Sequence, residues 1–356
     1  MANLLQKIKK AIGRYQHKWL VNHRLVSIDA NSMHIGFEVP KCDFSKYPQI
    51  QGYANVGVVL QGPLDKRENF TLNTVRMLRH IYPDIAIVLS TWYGEVGERE
   101  RKDLQQMNCE IIEDNGLPTE LLGEGRKVGH LNNQYLSSIN GIRLLKAKGI
   151  KYALKMRTDT RIYKYDFIPY FINLLALHPS NKPKQNKRLI NIAYGNTLAS
   201  VPFHMCDFIW FGTIEDMEKM WSVPTRTDEA ISMIRNMSDE ELNRHTSKFW
   251  EKAQQFDMRD VHWLEASDED KNVFYNFHEE SYIVHQYAAM NQLCDENISP
   301  IDAYYRFLRD CVIVVSEKDV LAYFDKYEYS ANRDVYATPF FLMDHSQWLD
   351  LKFHYL

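Results

Sequence analysis

Residues 155–161 read Lys155-Met156-Arg157-Thr158-Asp159-Thr160-Arg161 and follow directly on an apolar run at 152–154. In an extended chain the two-residue period turns Lys155, Arg157, Asp159 and Arg161 toward one side. A strand in the middle of a parallel sheet is apolar on both faces, so a charged row at its carboxyl end calls for a reason. An anion site supplies one: Asp159 holds a cation or a ribose hydroxyl, and the basic residues face phosphate oxygens. A structural Arg–Asp pair closing the sheet edge supplies another. Four more places fit the same ligand. Gln61 and Gly62 follow the first apolar run, where a backbone approaches a nucleotide closely or simply makes a tight turn. Asp114, after the third run, is placed to bond a base or ribose, or stands as a solvated loop carboxylate. Asn132 and Gln134 fall in the first turn of a long helix. Asp207 interrupts the apolar stretch 206–211, where an acid is costly unless paired or functional.

Other chemistries find no support. His278-Glu279-Glu280-Ser281-Tyr282 lacks the second histidine of a zinc-protease helix, and Gly123, Gly125 and Gly129 have the wrong spacing for a dinucleotide loop. Neither a P-loop lysine motif nor a G-x-S-x-G elbow occurs. A formal charge of −3 gives no field for gripping nucleic acid. The five cysteines are dispersed without C-x-x-C spacing, which suits reduced thiols better than a disulfide framework or a zinc site. No signal peptide is readable, and runs such as 56–60 and 312–315 are too short to span a bilayer. The expectation is a cytoplasmic protein.

The elements that must position these residues alternate. Short Val- and Ile-rich runs at 56–60, 85–89, 109–112, 152–156, 189–193 and 208–211 read as strands. Helical spacing at 70–81, 98–107, 131–148, 166–177 and 214–221 falls between or after them. That alternation predicts an α/β fold, a mostly parallel sheet with helices on both faces. Ligands of such sheets sit beyond the carboxyl ends of the strands, where the candidates above cluster. Past residue 221 the pattern turns helical and charged, with a lone strand expected at 311–315. Residues 1–24 form a separate unit: Leu4, Leu5, Ile8, Ile12, Tyr15 and Trp19 share one helical face, beside six Lys and Arg and no acid. A basic amphipathic helix suits an anionic membrane surface, a docking site on its own domain, or a second subunit. The predicted organisation is therefore 1–24, a catalytic domain at 50–295, and an extension at 296–356 packing on it.

Val58-Val59-Leu60-Gln61-Gly62-Pro63-Leu64, Leu89-Ser90-Thr91-Trp92 and Leu154-Lys155-Met156-Arg157-Thr158-Asp159 resemble blocks of the WavE lipopolysaccharide synthesis family. Asp207-Phe208-Ile209-Trp210-Phe211-Gly212 and Glu280-Ser281-Tyr282-Ile283 resemble its later blocks in the same order, so the resemblance covers roughly residues 55–295. It implies a GT-A-like glycosyltransferase fold and a role in building bacterial surface polysaccharide, lipopolysaccharide or capsule. The partners implied are a nucleotide-sugar donor and a glycolipid or oligosaccharide acceptor, met at the inner membrane through residues 1–24. Such enzymes usually carry D-x-D where this chain has Asp159-Thr160-Arg161. Mg²⁺ or Mn²⁺ held by Asp159 and the donor phosphates is expected, with Arg161 as a fixed charge against the leaving diphosphate. In this reading Asp207 touches sugar hydroxyls. Glu280 is the base that takes the acceptor's proton, its neighbour Glu279 facing elsewhere. An acidic first helical turn is the plain alternative for both. A nucleotidyltransferase of sugar activation, or a catalytically silent binding protein, remains open as a rival.

Overall fold

The computed structural model describes residues 27–29, 32–34, 44–118, 120–121, 128–193, 196–254, 267–295, 297–324 and 343–354. The basic helix expected at 1–24 lies outside them.

Seven strands form one sheet: β1 (Val56–Gln61), β2 (Ala86–Trp92), β3 (Cys109–Asp114), β4 (Tyr152–Arg157), then, past a short β5 (Thr160–Ile162), β6 (Leu189–Ala193), β7 (Ile209–Thr213) and β8 (Val312–Ser316). Their order is β8-β6-β7-β4-β1-β2-β3. Strands β1 to β4 are mutually parallel, β8 runs parallel to β6, and β7 is antiparallel to both of its neighbours. The fold is thus α/β with a mostly parallel sheet, as the strand–helix alternation predicts. One difference concerns the strand expected to stand alone at 311–315. As β8 it is registered along β6, Leu189 opposite Val312 and Ala193 opposite Ser316. The main sheet therefore extends past residue 295. A fully apolar Val-Ile-Val-Val run needs burial, and α10 (Pro300–Cys311) and α12 (His345–His354), which also pack on each other, both cover it.

Every residue of β1 is buried. Gly57 and Val59 of β1 meet α3 (Leu131–Ala147), and the approach is close: a Cβ on Gly141 would lie 2.4 Å from Val59 Cγ1, and one on Gly57 2.5 Å from Leu145 Cδ2. Lys155 is registered beside Val59, so its side chain points under α3 and α5 (Ile214–Trp221). Tyr152 and Leu154 alternate to the opposite face, where Phe211, the ring registered beside Leu154, stacks on Tyr152 and packs on Phe171 of α4 (Phe167–Leu177). The helices α8 (Asp268–Phe277) and α9 (Glu279–Met290) pack against each other, and α9 also meets α5. Asp216, buried in the first turn of α5, accepts from the backbone N–H groups of Asn186 (3.0 Å) and Lys187 (2.9 Å) and so fixes the loop before β6.

Candidate functional site at the carboxyl edge of the sheet

Four parallel strands end together, bringing Gln61, Trp92, Asp114 and Arg157 to one edge. Gly62 turns the chain out of β1 at φ +111°, a conformation glycine adopts without strain. The turn leaving β4 is strapped to this exit. Thr158 N–H donates to Gln61 O (3.1 Å), the Thr158 hydroxyl donates to Pro63 O, and Thr158 O accepts from the Thr71 hydroxyl of α1 (Phe70–Ile81) at 3.0 Å. The Q-G-P and K-x-R-T-D blocks are therefore one structure. Gln61 Oε1 is buried with no hydrogen-bond partner among the described residues. A buried acceptor in that state is costly unless something donates to it.

Past this turn the strand alternation breaks, and the basic row divides. Arg157 grips Asp159 in a two-pronged pair, Nε to Oδ1 and Nη2 to Oδ2, both at 2.9 Å. Its guanidinium lies 5.3 Å from the Phe208 ring and 4.9 Å from that of Phe324, in the short β9 (Ala322–Phe324). Arg161 sits apart on β5, buried against α1. It donates to Thr74 Oγ1 (2.9 Å), Phe70 O (2.8 Å) and Tyr163 Oη (3.2 Å), with the Phe70 ring 4.1 Å away. The expectation of one charged face holds for Lys155 and Arg157 and fails at Arg161, because residues 158–159 form a turn rather than strand.

Lys155 is fully buried. Its ammonium donates to Asp207 O at 2.6 Å and lies 4.3 Å over the Trp221 ring. Burial pulls its pKa down to about 8, with the Asp207 carboxylate opposing the shift. Asp207 enters β7 at the same edge, and Gln134, from the first turn of α3, donates to its Oδ2. Burial raises the Asp207 pKa, Lys155 and Arg157 oppose the rise, and Glu280 adds to it. The adjacent acids of α9 diverge. Glu279 accepts from the buried guanidinium of Arg226 (3.2 Å) and from His130 N–H (3.2 Å), whereas Glu280 accepts from the Asn196 amide (3.1 Å). The Asn196 amide oxygen in turn meets His204 Nε2 at 3.0 Å.

Lys155, Arg157, Asp159, Gln134, Asp207 and Glu280 thus come into one charged neighbourhood, with Gln61 and Gly62 beside it. Asp114 lies further along the edge, tied to Gly116 N–H (3.2 Å) and to the Asn140 amide of α3 (3.1 Å). Asn132 has both amide atoms on the Arg226 backbone, at 3.1 and 2.9 Å. Asn196 and His204 are additions that no spacing in the sequence marks.

In this structure the Asp159 carboxylate is engaged by Arg157 rather than open to a cation. Both carboxylate oxygens already accept from Arg157. Among the described residues no three His, Cys, Asp or Glu side chains converge on one point. What the geometry does offer is a planar, two-pronged donor of the kind that receives phosphate oxygens, beside an amide oxygen, Gln61 Oε1, that calls for a hydroxyl or N–H.

The sequence profile of a family described as WavE lipopolysaccharide synthesis matches residues 56–340, most of the chain. No curated protein matches. Among solved structures the chain is similar to a cytidylyltransferase from Leptospira borgpetersenii serovar Hardjo-bovis, at 12% identity over 55% of this chain and 73% of that one. The TM-score is 0.28, a likeness that carries no argument about activity.

Proposed function

The chain belongs to the WavE lipopolysaccharide synthesis family, and on that premise we propose that it is a GT-A-like glycosyltransferase. Its role is in lipopolysaccharide synthesis; the proposed reaction moves a sugar from a nucleotide diphosphate donor to a lipid-linked oligosaccharide. One observation carries this reading: the Arg157–Asp159 fork stands at the carboxyl edge of β4, beside the unsatisfied Gln61 acceptor. Parallel sheets bind nucleotides at that edge.

Arg157 exchanges its carboxylate partner for diphosphate oxygens, and Gln61 Oε1 accepts from a donor hydroxyl or base N–H. Lys155 holds the Asp207 backbone in place, and Asp207, fixed by Gln134, orders the sugar hydroxyls. The acceptor hydroxyl attacks the anomeric carbon as the bond to diphosphate breaks, and Glu280 takes the hydroxyl proton. Stabilisation of the departing diphosphate by Arg157 supplies much of the rate.

The test is calorimetry with a panel of nucleotide diphosphate sugars, with and without Mn²⁺, followed by turnover on bacterial glycolipids. One donor is expected to bind, and to keep its affinity within about tenfold on chelation. Arg157→Lys, which keeps the charge and loses the fork, is expected to weaken it by at least about tenfold. Absence of binding by every donor defeats the proposal. Binding without transfer to any glycolipid leaves a silent binding protein instead.

A further inference from the structure

A second cleft, of about 270 Å³, opens between α8, α9 and the start of α10. Its aromatic lining is Phe203, Tyr275 and His285. Tyr275 and His285 stack with centroids 3.9 Å apart and planes within 8°, and Phe203 sets its ring across both, 6.1 and 5.2 Å away. Phe203 is buried and holds a left-handed backbone at φ +58°, which a side chain of that bulk rarely adopts. Strain of this kind persists only where surroundings impose it, and it gathers at ligand sites.

The polar lining includes Asn272, Asn276 and Gln286. The Gln286 amide has no hydrogen-bond partner among the described residues, and neither has His285 Nδ1. Burial keeps that imidazole neutral by lowering its pKa to about 4. The cleft's lysine, Lys271, is paired with Asp268 at 3.5 Å, and Asp295 adds a further negative charge. No unbalanced cation is therefore offered to a phosphate. Aromatic surface with planar amides, each both donor and acceptor, suits a neutral ring bearing several hydroxyls. The volume, at the lower edge for ligand pockets, suits one such ring rather than a nucleotide.

One route leads from this cleft to the candidate base Glu280, and another to its neighbour Glu279. Asn276 O accepts from Arg226, which also holds Glu279. From Phe203 the chain passes to His204, which meets Asn196, the partner of Glu280. Resting on the glycosyl-transfer reading above, we propose that the cleft lined by Phe203, Tyr275, His285 and Gln286 is an acceptor subsite, holding a neutral sugar ring of the oligosaccharide near Glu280.

The test is calorimetry on the full chain. The probes are core oligosaccharide, released by mild acid from the lipopolysaccharide of the encoding organism, and, separately, the nucleotide sugar. Asn272→Ala combined with Gln286→Ala removes one exposed and one half-buried amide and should keep the wild-type melting temperature. It is expected to raise the oligosaccharide Kd about tenfold, the effect of two ordinary hydrogen bonds, and to leave the nucleotide-sugar Kd unchanged. Gln286→Trp, which fills the cleft, should act in the same direction. An oligosaccharide Kd within twofold of wild type in both variants overturns the subsite. So does a wild type that binds the donor but not the oligosaccharide, although the transferase reading then survives. Oligosaccharide binding lost in both variants, in a protein that binds no nucleotide sugar, keeps the subsite and defeats the transferase reading.

Discussion

Glu279 and Glu280 are neighbours in sequence with opposite employments, and this makes them a paired test. Glu279 holds the buried Arg226 guanidinium, so Glu279→Gln is expected to lower stability by about 1–3 kcal/mol with little change in turnover. Glu280→Gln should reduce kcat by about 10²–10⁴ at unchanged melting temperature. Equal turnover in the two variants removes Glu280 from the mechanism. Lys155 gives the pH test. Its folded pKa is lowered to about 8, below the unfolded value, so between those pH values the unfolded chain binds the extra proton. Stability attributable to this group therefore rises as pH climbs from about 8 toward the unfolded pKa, and is lost again as pH falls back through 8. Denaturant unfolding at pH 7.5 and pH 10 should show wild type gaining on Lys155→Met, by at most ~3 kcal/mol for a shift of this size. Parallel behaviour of the two proteins would mean that the ammonium is not held as the structure has it.

The elements explain how much of this was legible in the sequence. Apolar spacing marked α3 to within a residue, ahead of Gly149 at φ +75°, and Phe70–Ile81 coincides with its predicted limits. Such signals are local. The partition of Lys155 and Arg157 from Arg161 depends on a turn at 158–159 that the two-residue period ignores, and the place of β8 depends on a strand more than a hundred residues earlier. Asn196 reaches Glu280 across 84 positions of chain, and no spacing rule spans that distance. Between α3 and β1, contact reverses an ordinary propensity. Gly→Ala inside a helix usually stabilises by roughly 1 kcal/mol. Gly141→Ala would drive a methyl group into Val59, so a loss of about 1–3 kcal/mol is expected by thermal or denaturant unfolding. A more stable variant would show that the helix stands further off.

At the scale of the molecule, one sheet gathers strands from residue 56 to residue 316. No helix among the described residues is long and apolar enough to cross a membrane. Contact with lipid-linked acceptors is proposed for residues 1–24, on the strength of their apolar spacing and six Lys and Arg. Deleting them should lower co-sedimentation with anionic vesicles while leaving the unfolding transition of the rest in place; unchanged sedimentation rejects the role. The reversed strand β7 has a consequence of its own. Because it runs against its neighbours, the chain leaves β6 and re-enters β7 at the same edge, and Asn196, His204 and Asp207 all belong to that single excursion. On the proposed reading, the excursion would bring these three side chains to the sugar on one continuous stretch of chain, held from outside by Lys155, Gln134 and Glu280.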